Sequence, residues 1–493
     1  MSQSDLKRKT VKGFFWSSLE SIFSQGQGII FGIFLARMLS PEEFGLLGMI
    51  TIFISIAQVF VDSGLSQSLI RKQDCSTNDY STIFWVNLVI GLVCYVIIWI
   101  AAPFIADFYG KPELITLTRV TALAIIIGSV TLIQQTILTK EVDFKTITKS
   151  SVSGTFVSGV ISLLLAYLGF GVWSLVWRSI INQVVRSAVL WNQNRWWPRL
   201  YCNRLILKDH FAFGSNILFI SIIAALYKNF YNLIIGKNYS DKILGYYTNA
   251  DQYSLMLSST ISSITNKVSY PVLSEMQNDN VRLRASINKL ITTVMYISFV
   301  LMFGLAAIAK PLFVTLLGEK WVPSVVIFQA LCFAYAITPM HTINHNIMKI
   351  KGRSDLLLKT EIFKYIIFTP LIILGAFYGI TVLIAGIVVF YWIGYIVIAI
   401  YSKRLIGYSI IDQSLHFLPV LGIAIVPAIM TWSLGTLFSL SNILLLSIQT
   451  IIYTGLVVSL SILFRISAFF EIKQILADKL TVENFIKTIK KTL

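Results

Sequence analysis

The sequence predicts an all-α polytopic membrane protein with about 14 transmembrane helices. Of 493 residues, 56% are hydrophobic and only 13% are charged, whereas a soluble domain has about 25% charged residues. Apolar runs of roughly 20 residues, the length that crosses a bilayer as a helix, recur along the whole chain. Lys and Arg fall in short clusters between these runs, which is typical of cytoplasmic loops in membrane proteins.

Each apolar run predicts one helix, because a helix satisfies its own backbone polar groups in lipid. The first run continues past the length of a signal-peptide core and lacks a small-residue cleavage site, so we expect it to be retained. The predicted spans are 13–36, 43–62, 82–106, 114–138, 149–168, 171–192, 211–235, 245–270, 287–309, 323–348, 356–378, 380–402, 415–435 and 442–464.

The positive charge indicates topology rather than nucleic-acid binding. The net charge is +17, but the cations lie between apolar runs and not on one domain or face. With the N-terminus inside, roughly 29 of the 40 Lys and Arg residues lie in inside loops, and about six lie outside. We therefore expect both termini to be cytoplasmic and no nucleic-acid partner.

The two halves of the chain repeat one another. Residues 35–50 match residues 235–250 with an offset of 200, which aligns Gly45 with Gly245. An offset of 208 aligns Gly110 with Gly318, in a match that also pairs Pro103 with Pro311, and Gly171 with Gly379. Parallel repeats of this kind form two lobes that bind substrate between them and alternate access by rocking.

The predicted organisation is thus two pseudo-symmetric six-helix lobes around a central cavity, followed by two further helices. The tail is basic, and its apolar residues are spaced for one face of an interfacial helix. The predicted regions are a first lobe (1–192), a basic cytoplasmic linker (193–210), a second lobe (211–402), two additional helices (403–465) and a basic amphipathic tail (466–493).

Short motifs near the helix ends make the chain resemble the polysaccharide-exporter branch of the multidrug/oligosaccharidyl-lipid/polysaccharide (MOP) superfamily, and particularly its Wzx-type flippases. The resemblance covers essentially the whole chain. The motifs are Gly13-Phe14-Phe15-Trp16-Ser17, Leu39-Ser40-Pro41-Glu42-Glu43-Phe44-Gly45, Asp62-Ser63-Gly64-Leu65, Leu69-Ile70-Arg71, Asn232-Leu233-Ile234-Ile235-Gly236 and Leu244-Gly245-Tyr246-Tyr247.

The resemblance implies a flippase for an undecaprenyl-pyrophosphate-linked oligosaccharide in the bacterial cytoplasmic membrane. Such a protein serves export of lipopolysaccharide O-antigen, teichuronic acid or colanic acid. It is not an enzyme and needs no cofactor, and a proton or sodium gradient is the candidate energy source. Membrane lipids, a polysaccharide polymerase and other assembly proteins are the further expected partners.

Charged residues inside spans are costly in lipid and are the first candidates for function. Arg178 and Arg186 are eight residues apart on one helix, which places them on nearly the same face about 12 Å apart in depth. Arginine suits a pyrophosphate because its planar fork makes paired, charge-assisted hydrogen bonds. Pairing with carbonyls or acidic groups is the alternative.

Three further charged residues are candidates for the cavity. Lys228 and Asp251 flank the turn at 236–245 at similar depth, so they form an ion pair or line the cavity. Glu20 pairs with an arginine or takes part in proton coupling. The positions that the repeat aligns with Glu20, Lys228 and the two arginines are uncharged, and this asymmetry favours substrate handling over architecture.

Two histidines and a Glu–Lys pair lie in the second half. His341 and His345 share a helix face, without a third ligand or an HExxH motif, so we expect a packed pair and no metal site. Proton coupling is the second interpretation for both, as it is for Glu20 and Asp251. Glu361 and Lys364 are three apart and are predicted to pair with each other. The four cysteines (Cys75, Cys94, Cys202, Cys332) have no disulfide or metal spacing.

Two other functions fit parts of the pattern. A cation-coupled small-molecule or multidrug antiporter fits the helix count, but the two extra helices and the Leu39–Gly45 motif argue against it. A glycan polymerase or membrane glycosyltransferase would require a large outside loop or an acidic cluster. In the outside loops, Glu42-Glu43 is the only adjacent acidic pair.

Overall fold

The computed structural model describes residues 3–62, 64–72, 74–194, 196–438 and 440–480. Across these ranges the chain forms 19 α-helices and one 3₁₀ turn, without a β-strand. This confirms the predicted all-α class. By the contacts among its helices, the chain divides into two compact units, one ending at Asn249 and the other beginning at Ala250. The lobe boundaries expected from the repeat stay a prediction.

The first unit contains nine helices and the beginning of a tenth. Local capping sets their ends: Ser76 and Asp79 form a capping box at the start of α4, and Gly110, with φ 67°, ends that helix. The helices are α1 (Gln3–Met38), α2 (Pro41–Asp62), α3 (Leu65–Arg71), α4 (Thr77–Tyr109), α5 (Leu114–Thr121), α6 (Leu123–Lys140), α7 (Phe144–Tyr167), α8 (Val172–Gln193), α9 (Arg204–Asn238) and α10 (Asp241–Glu275).

The second unit begins within α10 and continues to the basic tail. Its helices are α11 (Asn280–Ala307), α12 (Ala309–Leu316), α13 (Val322–Tyr335), α14 (Thr338–Ile350), α15 (Ser354–Tyr378), α16 (Ile380–Ile406), α17 (Ile410–Leu437), α18 (Asn442–Leu463) and α19 (Ser467–Leu480). Helix α19 covers the beginning of the predicted amphipathic tail. The rest of that tail lies outside the described residues.

Eleven segments of the described chain are long and apolar enough to cross a membrane, and each matches a predicted span. The other three predicted spans correspond to α8, α9 and α10, which are 22, 35 and 35 residues long. These helices exceed the roughly 20 residues that a crossing requires. They carry four of the five predicted substrate residues.

Two predicted spans are each divided into two helices. The span 114–138 breaks at Ala122 between α5 and α6, and the span 323–348 breaks at Ala336 and Ile337 between α13 and α14. In the second case Pro339 lies in the first turn of α14. A proline is tolerated there but cannot continue the hydrogen-bond ladder of the preceding helix, since it has no N–H group.

The glycines that the offset of 208 aligns all have a positive φ. Gly110 and Gly318 have φ values of 67° and 101°, and Gly171 and Gly379 have values of 55° and 112°. A residue with a Cβ rarely adopts a positive φ, and all four glycines lie at helix boundaries. The structure thus explains why glycines were the most visible sign of the repeat.

A buried amide network joins three helices of the second unit. Asn344 on α14 donates to the Gln413 side-chain oxygen on α17 at 3.0 Å and accepts from the Ser402 hydroxyl on α16. The Tyr395 hydroxyl also donates to Gln413, at 3.3 Å. Asn344, Ser402 and Gln413 are fully buried. The network therefore attaches the first added helix, α17, to the helices of the second half.

We expect Asn344→Ala to lower the stability of the second unit. The substitution leaves Gln413 and Ser402 without their buried partner, and each such group costs about 1–3 kcal/mol. Thermal unfolding in detergent, followed by modification of the buried Cys332 thiol, measures the effect. Asn192→Ala, at an exposed position on α8, is the control, and equal melting temperatures for the two variants would contradict the role of the network.

Candidate functional site

Helix α8 contains a buried arginine in a polar environment. The Arg186 guanidinium donates through Nη2 to the side-chain oxygen of Gln135 on α6 at 2.8 Å. Glu20 on α1 lies close enough to interact with it electrostatically. The Nε atom of Arg186 is buried and has no hydrogen-bond partner among the described residues. Side chains from three helices, α1, α6 and α8, thus meet at this cation.

The second arginine of the predicted pair is on the same helix. Arg178 is half-buried and has a partner within the structure. Its eight-residue spacing from Arg186 corresponds to about two helical turns, or 12 Å along the axis. The continuous helix Val172–Gln193 therefore holds both cations on nearly one face, as the sequence predicted. The structure also places Glu20 close enough to Arg186 to interact with it electrostatically.

The other two predicted cavity residues lie on α9 and α10. Lys228 is an exposed residue of α9. Asp251 is half-buried on α10 and accepts a hydrogen bond from the Tyr335 hydroxyl of α13. The pairing of Lys228 with Asp251 stays a prediction, as does the substrate role of both residues.

The second unit contains a buried cluster of titratable side chains. Lys364 donates to the Glu361 carboxylate at 2.7 Å, which confirms the predicted helical pair. The His345 Nε2 lies 3.2 Å from the same carboxylate, and the His341 Nε2 lies 2.9 Å from the Tyr391 carbonyl oxygen. Lys364 is only 3% exposed. Two histidines, a carboxylate and an ammonium therefore share one buried region on α14 and α15.

This cluster does not have the composition of a metal site. The described residues contain no group of three or more His, Cys, Asp or Glu side chains that could hold a metal ion. The Glu361 carboxylate is also paired directly with the Lys364 ammonium. A network of one acid, one base and two imidazoles is instead suited to holding and exchanging protons.

The beginnings of α2 and α10 meet in a close contact that the sequence analysis did not predict. A Cβ atom at Gly45 would lie 1.8 Å from the Asp241 carbonyl oxygen, and one at Gly245 would lie 1.8 Å from the Pro41 carbonyl oxygen. Asp241 and Pro41 are themselves 200 residues apart. Gly45 therefore contacts Asp241, and Gly245 contacts Pro41, which is the repeat equivalent of Asp241. This reciprocal arrangement is the geometry of a local two-fold axis.

Ion pairs surround this glycine contact. Glu42 and Lys242, which are repeat equivalents of each other, pair at 3.3 Å, and Lys111 pairs with Asp241. The hydrogen bond to Asp241 raises the pKa of the Lys111 ammonium, so this pair remains charged at neutral pH. We call the contact of Gly45, Gly245 and these two ion pairs the helix-start contact.

A signal for the helix-start contact was present in the sequence. Ser40 and Ser240 are also 200 residues apart, and each accepts a backbone N–H at the start of its helix, from Glu43 at 3.3 Å and from Ile243 at 3.1 Å. The repeated pattern is thus a capping serine followed five residues later by a glycine. Two equivalent helix starts with a glycine in the second turn can pack on each other across a two-fold axis.

A cavity of about 490 Å³ lies in the second unit between α10 and α11. Its walls are mainly apolar, and Glu471 of α19 closes one end by pairing with Lys289 at 3.2 Å. None of the predicted substrate residues lines this cavity. Its apolar lining suits hydrocarbon rather than a sugar.

Comparison with solved structures defines the class of protein. The chain is similar to the lipid II flippase MurJ in an inward closed conformation, with a TM-score of 0.72 and 15% identity over 92% of this chain and 99% of MurJ. It is also similar to an inward-facing multidrug resistance MATE family transporter of the MOP superfamily, with a TM-score of 0.61 and 16% identity over 78% and 94% of the two chains. The fold is therefore that of the MOP superfamily transporters.

The family is defined by sequence. Residues 34–326 match the model of the family described as polysaccharide biosynthesis protein, and the chain belongs to this family. Lipopolysaccharide biosynthesis protein WzxC of Escherichia coli is 24% identical over 75% of this chain and 76% of its own length. Teichuronic acid biosynthesis protein TuaB of Bacillus subtilis is 24% identical over 71% and 73% of the two chains.

These comparisons confirm several predictions. The predicted membership of a polysaccharide-biosynthesis family is confirmed, and so is a fold shared with solved transporters of the MOP superfamily. The comparisons do not test the substrate residues Arg178, Arg186, Lys228, Glu20 and Asp251, which stay predictions.

We expect cysteines at positions 42 and 242 to be linked by a short bifunctional thiol reagent in native membranes. The Glu42 and Lys242 side chains meet at 3.3 Å, so the pair lies within the reach of such a reagent. The experiment uses a chain without its native cysteines, and a shift in electrophoretic mobility measures the linkage.

Gly45→Ala should strongly reduce this linkage, because its Cβ meets backbone atoms of Asp241 that cannot rotate away. Gly28→Ala is the matched control, since a Cβ there meets nothing within 4 Å. Equal linkage in the two glycine variants would show that the helix starts do not depend on the close approach.

Proposed function

We propose that this protein moves an undecaprenyl-pyrophosphate-linked oligosaccharide from the inner to the outer leaflet of the bacterial cytoplasmic membrane. The cargo is a precursor for surface polysaccharide. Movement occurs by alternating access between two lobes, while the lipid tail remains in the bilayer. Both termini are cytoplasmic in this proposal, and a polysaccharide polymerase and other assembly proteins act with the flippase.

The family and its relatives support this proposal. The family is one of polysaccharide biosynthesis proteins. Its relatives include proteins named for lipopolysaccharide and for teichuronic acid biosynthesis, and a succinoglycan biosynthesis transport protein of Rhizobium meliloti. A flippase for a lipid-linked glycan precursor has the same fold. We therefore assign translocation of the precursor as the task of this member of the family.

The unsatisfied N–H group of Arg186 is the observation that carries the assignment of the anionic cargo. A guanidinium inside a membrane protein requires acceptors for its donors, because water is absent there. Gln135 supplies one acceptor, Glu20 supplies partial charge compensation, and Nε remains open. A pyrophosphate oxygen is an acceptor of the right charge and geometry for this donor. We assign Arg178 as the next binding position for the same pyrophosphate group.

The helix-start contact supports alternating access. It is built from repeat equivalents, so it can close and open as one symmetric element. Its ion pairs are partly exposed, with side-chain exposures of 36% and 16% for Lys111 and Asp241. Exposed pairs of this kind contribute only about 0–1 kcal/mol. The contact is held mainly by the steric fit of the two backbones and only weakly by charge. Such a contact is suited to repeated opening. We assign it to the outer end of the transport path.

The buried cluster on α14 and α15 is our candidate for energy coupling. His345 contacts the Glu361 carboxylate, which Lys364 also neutralises, so a change in the protonation of His345 would change the charge balance of the cluster. His341 is attached to Tyr391 of α16. We assign proton coupling to these two histidines, and Glu20 and Asp251 remain the alternative acidic sites. A sodium gradient is the alternative energy source.

We expect the double substitution Arg178→Gln and Arg186→Gln to abolish export of surface polysaccharide. Both cations that would contact the pyrophosphate are then neutral, while the helix and its side-chain lengths are kept. Export is measured as surface glycan in a strain that lacks the chromosomal gene. Protein abundance in the membrane, measured on the same cells, should be unchanged.

Arg119→Gln serves as the control for this double variant. Arg119 stacks over Trp99 at 3.9 Å, away from the proposed path, so its loss should leave export intact. Normal export by the double variant, at normal abundance, would remove both arginines from the cargo site.

We expect His341→Gln with His345→Gln to uncouple transport from a pH gradient. In proteoliposomes, a gradient should accelerate movement of a fluorescent lipid-linked oligosaccharide by the native protein. The double variant should retain only the rate seen without a gradient. His416→Gln, on α17 outside the cluster, is the control. An undiminished response to the gradient in the double variant would exclude the histidines from coupling.

A further inference from the structure

The segment between α8 and α9 is held in place by hydrogen bonds to two other helices. The Trp85 indole N–H donates to the Arg199 carbonyl oxygen at 2.8 Å, and the Arg199 N–H donates to the Ser81 hydroxyl at 3.0 Å. Gln134 on α6 donates to the Trp196 carbonyl oxygen at 3.0 Å. These bonds satisfy the backbone of an irregular segment, so its shape is fixed by its partners rather than by a helix or strand.

Aromatic packing also supports the segment between α8 and α9. The Trp196 ring lies 6.1 Å from both the Phe84 and the Tyr80 rings, in edge-on geometry. Trp191 lies 6.0 Å from Phe84 and 5.0 Å from Trp197. Aromatic pairs at these distances add stabilisation beyond their buried area. One side of the segment therefore packs against the rest of the first unit, and the other side faces outward.

The outward side combines large apolar residues with cations. Leu200 is 92% exposed, Leu205 is 76% exposed, and Trp197 is 69% exposed. Arg199, Arg204 and Lys208 lie among them and are also exposed. We call these six residues the linker surface. Exposed apolar residues on a fixed backbone are unfavourable in water. Asp209 is the only acidic residue in 196–210, against three exposed cations, so an apolar and anionic neighbour would complement the surface.

We propose that the linker surface is a binding site for the anionic phospholipids of one leaflet. Trp197, Leu200 and Leu205 enter the boundary between headgroups and acyl chains, where tryptophan is enriched in membrane proteins. The three cations contact the lipid phosphates, and their long aliphatic stems cover the apolar boundary. This inference rests on the geometry of the segment and not on the proposed cargo.

Phospholipid fits the linker surface better than the other anionic or apolar partners. A protein partner would bury the leucines but leave the alternating cations without matching acids. The pyrophosphate of a lipid-linked cargo would use the cations, but it is one group, whereas the three cations span a segment of ten residues. A leaflet supplies several phosphates and a continuous apolar layer together.

Depth measurement tests the insertion. Leu200→Cys, in the full chain without its native cysteines, carries an environment-sensitive fluorophore in vesicles of phosphatidylcholine with one quarter phosphatidylglycerol. We expect blue-shifted emission and quenching by lipids with a shallow nitroxide. The control is Asn278→Cys, in the exposed turn between α10 and α11, which should remain unquenched. An unquenched label at position 200 would overturn the proposal.

Removal of charge tests the lipid selectivity. This experiment uses the chain with its native cysteines. Spin-labelled phosphatidylglycerol and phosphatidylcholine compete for the purified full-length protein in detergent. Arg199→Gln, Arg204→Gln and Lys208→Gln together should reduce the preference for the anionic lipid, by about fivefold for each cation at low salt. The loss should become smaller as the salt concentration rises.

A second triple variant has the same net charge and is the matched control. Arg282→Gln, Lys359→Gln and Lys403→Gln remove three exposed cations near the ends of α11, α15 and α16. This control should keep the native preference. Equal losses in both triple variants, or no loss in the first, would overturn the proposal. If the first triple variant lost only the binding of a lipid-linked oligosaccharide, the linker surface would be assigned to the cargo. That result would also overturn the proposal.

Discussion

The structure depends on one constraint, which is that the hydrocarbon core of a bilayer offers no hydrogen-bond partner. Helices satisfy the backbone under this constraint, and the buried side chains must then find partners among themselves. Asn344 does so with Gln413 and Ser402. The Nε atom of Arg186 does not. It is one of several buried polar atoms of the described residues without a hydrogen-bond partner, and it belongs to a permanently charged side chain. Because unpaired polar groups are expensive in such surroundings, an external acceptor at this donor would stabilise the protein.

The helix-start contact illustrates how a repeat creates a site that neither half contains alone. A Cβ on the glycine in the second turn of α2 would collide with backbone atoms of α10. The role of this glycine arises only when the equivalent turn of α10 packs on it, and the reverse holds for Gly245. The surrounding ion pairs are too exposed to dominate the contact. Steric fit therefore sets its strength, and charge sets the register of the two helix starts.

Fold class and family were predictable from the sequence because they depend on patterns along the chain. Apolar runs located eleven spans by length and hydropathy, and the aligned glycines marked equivalent helix boundaries. The spans of α8, α9 and α10 were predicted despite their polar residues, since the charge alternation required them. The contact of Arg186 with Gln135 and Glu20 was not predictable, because it joins residues from three helices whose rotation and depth depend on packing. The break before Pro339 could have been predicted from the proline.

The two charged clusters differ in chemistry, and this difference constrains how the protein could work. Arginine keeps its charge at any physiological pH, so the cations on α8 are suited to holding an anion but not to sensing protons. Histidine changes its charge near neutrality, so the cluster of His341, His345, Glu361 and Lys364 is suited to the opposite task. The repeat mates of the two arginines are Gly386 and Gly394 on α16. A Cβ at Gly394 would lie 3.1 Å from the Lys364 side chain and 3.4 Å from His341. Arg186, for which we propose cargo binding, is therefore the repeat mate of Gly394, whose lack of a side chain leaves room for the titratable cluster in the second half.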